Sequence, residues 1–428
     1  MKKILMLLLV VFLTVGVLFG VKNVIFLIGD GMGLAHVTLT SYFVGKPLEM
    51  MKMPYIGFMH TYSANSLVTD SAAAGTALAT GYKTFNGMIC VTPDGKSVMT
   101  LFEAAKKVGK STGVITTTRV THATPASFYA HVKSRKEERE IARQLVEGDT
   151  IDVAFGGGMK YFSEELLEKA KANGFTVITT REELLNLDPS AVKRVLGIFS
   201  RSHLPYYVDG ENRPSLAEMT KKAIEILSKN DEGFFLMVEG GRIDHASHGN
   251  DVIAMIYDTI EFDEAVKVAL EFARKNGDTL VVVTADHETG GLGLSNGKYA
   301  IDIEKLRSYS KISIEKLMRE ITPDNFKEVI KKYYGIDLSD EEVEALKKAF
   351  EKGGYAPSNT IGEIISAHAL IGWTTHTHTA IMVPVFAEGP GAERFSGTLE
   401  NVDIPRIIAD LTDVPLHEYY FSEIAVGE

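Results

Sequence analysis

Val24-Ile-Phe-Leu-Ile28 is followed at once by Gly29-Asp30. Five consecutive apolar residues, three of them β-branched, read as a strand buried on both faces, the kind found in parallel sheets. Two more runs share this form. Phe234–Val238 leads into Glu239-Gly240, and Leu280–Val283 leads into Thr284-Ala-Asp-His287. Between the runs lie stretches with helical period: Leu101–Lys107, Lys136–Val146, Ser215–Ser228 and Ile253–Lys275. Ser215 and Glu218 form a capping box, and Asn276-Gly277 is a stop signal. Thr112–Thr117, Val153–Phe155 and Ile381–Ala387 read as further strands. Alternating strands and helices mark parallel βαβ construction, so the fold class is α/β. In open sheets of this class, ligands gather beyond the carboxyl ends of the strands. Three strands that each end in an acid therefore point to one shared site.

The 428 residues are 45% hydrophobic and 24% charged, which supports a substantial core and excludes a disordered or collagen-like chain. The net charge of −11 argues against nucleic-acid recognition and against an anionic membrane surface. Cys90 is the single cysteine, so neither an intramolecular disulfide nor an all-cysteine metal site can form. Lys2 and Lys3 precede an uncharged run, Ile4 to Gly20. That run is short for a span of about 20 residues and reads as a secretory signal peptide over residues 1–20. The expected location is outside the cytoplasm, periplasmic or extracellular, with no membrane contact beyond the signal. Residues 21–428 then form a single domain. Within it, residues 296–370 are richer in Lys and Glu and read as a helical insertion between two core strands, placed to cap or border a site.

The histidines sharpen the chemistry. Asp244 and His248 are four apart, which puts them on one helical face. Asp286-His287 sits at a strand end, and His376 and His378 alternate as on one face of a strand. Carboxylates alone suit Mg²⁺, whereas added imidazoles shift the preference toward Zn²⁺ or Co²⁺. His36, His60, His131, His203, His368 and His417 have no such local partner and read as structural. Val68-Thr-Asp-Ser-Ala-Ala-Ala-Gly-Thr76 holds the nucleophile candidate, Ser71. A serine opening a helix is most often its cap. A helix N-terminus also attracts phosphate, and the alanines leave Ser71 unobstructed. No Gly-x-Ser-x-Gly elbow surrounds it, which argues against a hydrolase triad. Gly29-Asp-Gly-Met-Gly33 has the wrong glycine spacing for a dinucleotide fold, and no Walker loop occurs.

Taken together, Gly29–Gly33, the segment around Asp70-Ser71, Glu239-Gly240, Asp244–His248, Thr284–His287, and His378 up to Gly389-Pro390 resemble, in order, the alkaline phosphatase family of the alkaline phosphatase-like metalloenzyme superfamily. The resemblance implies a three-layer α/β/α sandwich around a large, mostly parallel sheet, with a helical insertion. It implies an exported, metal-dependent phosphate-monoester hydrolase of broad substrate range, with Ser71 as nucleophile and a phosphoserine intermediate. By the same resemblance one Zn²⁺ is held by Asp244, His248 and His378, and a second by Asp30, Asp286 and His287. A third ion, usually Mg²⁺, is held by Asp30, Thr124 and Glu239. Arg135 is the implied phosphate clamp. His122 and His245 occupy positions that vary in the family, where they act either as ligands favouring Zn²⁺ or Co²⁺ or as orienting groups. A homodimer is also implied. Two rival readings are a phosphodiesterase of the same superfamily and a non-catalytic exported protein that binds metal or phosphate. A sulfatase would need a C-x-P-x-R-type modified residue, whereas Cys90 is followed by Val-Thr-Pro-Asp with no arginine there.

Overall fold

The Val24–Ile28 run forms strand β1 (Asn23–Ile28), in the middle of a ten-stranded sheet, in a computed structural model that describes residues 20–416 other than Glu211. The expected signal segment, apart from Gly20, lies outside the described residues, as does His417. In chain order the remaining strands are β2 (Tyr55–His60), β3 (Ser111–Arg119), β4 (Val153–Gly157), β5 (Phe175–Ile178), β6 (Arg194–Ile198), β7 (Phe234–Glu239) and β8 (Thr279–Thr284). Four two-residue pieces follow, β9 (Glu288–Thr289), β10 (Leu292–Gly293), β11 (Gly372–Trp373) and β12 (His378–Thr379). The last two strands are β13 (Val383–Glu388) and β14 (Gly397–Glu400). The sheet order is β14-β2-β13-β8-β1-β7-β3-β4-β6-β5.

Every residue of β1, β7 and β8 is buried, so both faces of the sheet are covered and the architecture is three-layered. Only β13 runs against the rest, pairing antiparallel with both β8 and β2. It is the exception in a mostly parallel sheet, and it follows the long insertion rather than a simple crossover. The other departures lie toward the edges. β2, β5, β6 and β14 were not expected, since short strands with a glycine or an exposed face lack a continuous apolar run. Ile381 and Met382 precede β13 and are exposed rather than paired. The helices follow their punctuation closely. Ser215 caps Leu216–Leu227 and shares a capping box with Glu218, and Val252–Asn276 ends where Gly277 turns left-handed at φ 77°.

The register of the central strands explains the site. Adjacent parallel strands β8, β1 and β7 end at the same level, with β3 running on past it: Ile28 pairs with Glu239 on one side and Thr284 on the other, and Glu239 pairs with Thr116. The next residues of each strand therefore emerge side by side. The stretch 296–370 lies between β8 and β13 and carries the helices Ile303–Ser308, Ile314–Leu317, Phe326–Tyr334, Asp340–Lys352 and Ala356–His368. Asp251 fastens it to the core. One carboxylate oxygen accepts from Ala254 N at the start of the long helix, and the other accepts from Ile314 N at 2.6 Å. Among the described residues no helix is long and apolar enough to cross a membrane.

Candidate active site

Asp30, Asp286 and His287 leave β1 and β8 and meet without any exposed surface. His287 Nε2 lies 3.5 Å from Asp30 Oδ1 and 3.4 Å from Asp286 Oδ2. Asp286 Oδ1 accepts from Gly31 N at 3.2 Å. The helix Arg242–His248 presents Asp244 and His248 from successive turns, with His248 Nε2 3.4 Å from Asp244 Oδ1. His378 Nε2 approaches the same oxygen at 3.5 Å and His248 Nε2 at 3.1 Å. His376 does not join them. Its Nε2 turns to Glu363 at 2.8 Å, because β12 contains only His378 and Thr379 and ends the alternation. On the far side, Glu239 ends β7, and Thr124 Oγ1 sits 3.4 Å from Asp30 Oδ2. Three sets of donor atoms are close enough to hold an ion: Asp244, His248 and His378; Asp30, Asp244 and His287; and Asp30, His122 and Glu239.

Ser71 is the first residue of the helix Ser71–Thr80, and it is not the cap. Asp70 is, with Oδ1 accepting from Ala73 N and Gly87 N, both at 3.0 Å. The serine hydroxyl, relieved of capping, lies 3.2 Å from His287 Nε2. Arg135 reaches the same place from outside. Its Nη1 donates to Asp70 Oδ2 at 3.0 Å, and its Nη2 lies 3.2 Å from His122 Nε2. His245 packs beside His122, at 5.5 Å between ring centroids, and Arg242 Nη1 lies 3.1 Å from its Nδ1.

His203, read from the sequence as structural, joins this group. Its ring is 4.4 Å from that of His245 and 5.5 Å from that of His122, and Arg119 bonds its Nε2. No local pattern announces it, because it arrives from a loop after β6 that is far along the chain from both rings. His131 and His368 remain structural, paired with Glu103 and Glu342. His36 is fully buried against Ser247. A cavity of about 760 Å³ separates the insertion from the site and is lined by His203, Arg242, His245, His248 and Tyr355 among others, so the insertion borders the site.

Known proteins are similar to this chain over most of its length. The family model described as alkaline phosphatase matches residues 21–414. Alkaline phosphatase 4 of Bacillus subtilis is 37% identical over 410 residues, covering 91% of this chain and 88% of that protein. The crystal structure of Thermus thermophilus alkaline phosphatase superposes with a TM-score of 0.84 at 32% identity, over 92% of each chain. A variant of the alkaline phosphatase of the Antarctic bacterium TAB5, with a histidine changed to aspartate and Mg bound in a site called M3, superposes with a TM-score of 0.71 at 33% identity. That match covers 92% of this chain and 99% of the other.

The electrostatics identify what the donor atoms suit. Burial, with Asp244 adding to it, pushes Asp286 up to about 8, and burial pushes Glu239 up to about 7. Burial, then Asp286 and Asp244, hold Asp30 well above the usual carboxylate range. Burial opposes charge on Asp244 too, but His248, His378 and His287 hold it far below that range. Burial drives His122, His245 and His287 well below the usual imidazole value. Among the described residues Asp30 Oδ1, Asp286 Oδ2 and Glu239 Oε1 are buried and accept no hydrogen bond. Buried polar atoms are ordinarily paired. Orphaned carboxylate oxygens beside neutral imidazoles are the donor set of divalent cations with mixed oxygen and nitrogen preference, so the residues fit such ions.

A stability signature follows. Above about pH 7.5 these histidines are neutral in both the folded and unfolded chain. Asp286, pushed up to about 8, then keeps in the folded chain a proton that the unfolded chain has released. Stability falls as pH rises, by roughly 1.4 kcal/mol per pH unit for each proton of difference. The metal-free chain is expected to lose melting temperature between about pH 7.5 and 8.5, and saturating divalent cation is expected to abolish that loss. Calorimetry at three pH values checks this; a rising melting temperature without metal contradicts it.

Proposed function

This chain belongs to the alkaline phosphatase family and is a metal-binding phosphomonoesterase, and from that premise we propose that Ser71 carries the phosphoryl group as a covalent intermediate. The observation that most supports this reading is the 3.2 Å approach of Ser71 Oγ to His287 Nε2, made by a serine that caps nothing. Asp244, His248 and His378 are suited to hold one Zn²⁺ and Asp30, Asp286 and His287 a second. A third ion fits Asp30, Thr124 and Glu239. When bound, the ions supply positive charge that stabilises the oxyanions of attack and departure.

The chain's own groups do the rest. Arg135, oriented by Asp70 and His122, grips two phosphate oxygens with its planar fork. The N-terminus of the helix that begins at Ser71 favours an anion there. Ser71 Oγ passes its proton to water and bonds to phosphorus as the ester oxygen departs in line. That oxygen takes a proton from water, and the phosphoserine forms. A second water then attacks phosphorus, and Ser71 leaves and recovers its proton. Positioning and charge carry the catalysis. The fork of Arg135 matches the terminal oxygens of a monoester and weighs against the diesterase reading.

The third ion is the point where this chain's own residues matter most. Mg²⁺ is the expected occupant, and His122 beside Asp30 and Glu239 favours Zn²⁺ or Co²⁺ in competition with it. The TAB5 variant with Mg in its M3 site has an acid in place of a histidine, which agrees with that preference. We also read residues 1–20 as a cleaved export signal, residues 21–428 as one domain and the enzyme as a homodimer. The exposed apolar residues Ile56, Phe58, Ile381 and Met382 near β2 and β13 support the dimer.

Ser71→Ala is expected to lower kcat by at least about a thousandfold and to remove the phosphorylated species trapped by acid quench. Wild-type turnover in that variant would end the covalent reading. His122→Asp is expected to make Mg²⁺ a better activator than Co²⁺ when each is added back to chelated enzyme; an unchanged metal preference counts against the role given to His122. The secreted protein should begin after residue 20 by N-terminal sequencing and sediment at twice the chain mass. A retained N-terminus or a monomer overturns the respective reading.

A further inference from the structure

Thr289 stands where the segments bearing Asp30, Asp244, His287 and His378 meet. It is fully buried and follows His287 by two residues. It pairs across the two-residue ribbon with His378, and its amide donates to Gly31 O at 3.1 Å, beside Asp30. Its hydroxyl is 2.6 Å from Asp244 Oδ1 and 3.2 Å from His287 Nδ1. The packing leaves no slack. Gly31 adopts φ 73°, and a Cβ there would lie 2.8 Å from Asp244 Cα and 2.9 Å from Thr289 Oγ1.

A threonine hydroxyl has one proton and two lone pairs. An ionised carboxylate only accepts, so the proton goes to Asp244. The hydroxyl oxygen must then accept from His287, which places the imidazole proton on Nδ1. Nε2 is left with its lone pair aimed at Ser71 Oγ, Asp30 and Asp286. That is the form in which an imidazole binds a cation. The same hydrogen bond holds Asp244 Oδ1, the oxygen approached by both His248 and His378. One hydroxyl thus sets the tautomer of a ligand in one cluster and the orientation of a ligand in the other.

We propose that Thr289 is a positioning residue whose hydroxyl couples the two catalytic cation sites, through Asp244 on one side and His287 on the other. The proposal rests on the reading that these two residues hold divalent cations. Glu288 supports the arrangement from the opposite face of the ribbon, accepting from Gly291 N, Leu292 N and the hydroxyl of Thr379. It fixes the strand, whereas Thr289 fixes the ligands.

The test compares the full-length wild type with Thr289→Val, which keeps the shape and removes the hydroxyl, and Thr289→Ser, which keeps the hydroxyl and removes the methyl. Zn²⁺ affinity is measured by competition with a chelator, and the metal-free proteins are compared by thermal unfolding. Thr289→Val is expected to bind Zn²⁺ about ten- to a hundredfold more weakly, the range seen when a partner of a metal ligand is lost. Thr289→Ser is expected to restore most of that affinity. Equal affinity in Thr289→Val and wild type overturns the proposal, as does a loss in Thr289→Ser as large as in Thr289→Val. If the valine variant does not fold, Thr289→Ser decides alone: near wild-type affinity supports the role and a tenfold loss ends it. A wild type that binds no Zn²⁺ overturns the underlying reading of the site, whereas a wild type that binds it and a valine variant that binds it equally overturn only the role of Thr289.

Discussion

Four buried carboxylates share one small volume at the ends of parallel strands. Asp30, Glu239, Asp244 and Asp286 are all less than 5% exposed, and Asp244, Glu239 and Asp286 each raise the proton affinity of at least one of the others. Like charges so placed repel strongly in a medium less polarisable than water. The rest of the structure answers that repulsion. Neutral imidazoles supply nitrogen donors without adding charge, and unpaired carboxylate oxygens wait for cations. An acidic protein that acts on anionic substrates needs those cations as well, since local positive charge must reverse the field that the chain as a whole presents.

Rigid elements keep the carboxylates in place despite their repulsion. The central strands are buried on both faces and cannot slide without exposing every side chain. Their register levels the strand ends, so short turns suffice to bring the acids together. The nucleophile is held separately, at the start of a helix capped by its own neighbour Asp70. That division frees the Ser71 hydroxyl for chemistry and uses the adjacent carboxylate to hold both the helix and Arg135.

Around this frame runs a ring of guanidinium–imidazole contacts. Arg135 meets His122, Arg119 meets His203 and Arg242 meets His245. Arg119 is paired in turn with Glu138, and Arg242 with Glu315 of the insertion. The insertion is therefore tied electrostatically to the wall of the third cluster, and it encloses one side of the site while the sheet provides the floor.

Local signals carried much of this. An uninterrupted apolar run buries on both faces whatever surrounds it, so β1, β7 and β8 and the acids that follow them were readable, as were the capped helices. The spacing of Asp244 and His248 announced a shared face because a helix repeats every 3.6 residues. Other features depend on where distant segments meet. His376 and His378 look alike along the chain, and only the length of a two-residue ribbon turns one toward Asp244 and the other toward Glu363. Asp70 rather than Ser71 caps the helix because the backbone bends one residue earlier than composition implies. His203 and Thr289 acquire their places from contacts with loops that sequence distance hides. The chain alone determined which chemical groups were available and which strand ends would carry them. Tertiary packing decided which of those groups face one another, because hydrogen bonds and metal ligation act over about 3 Å and the order of strands, not the order of residues, sets that distance.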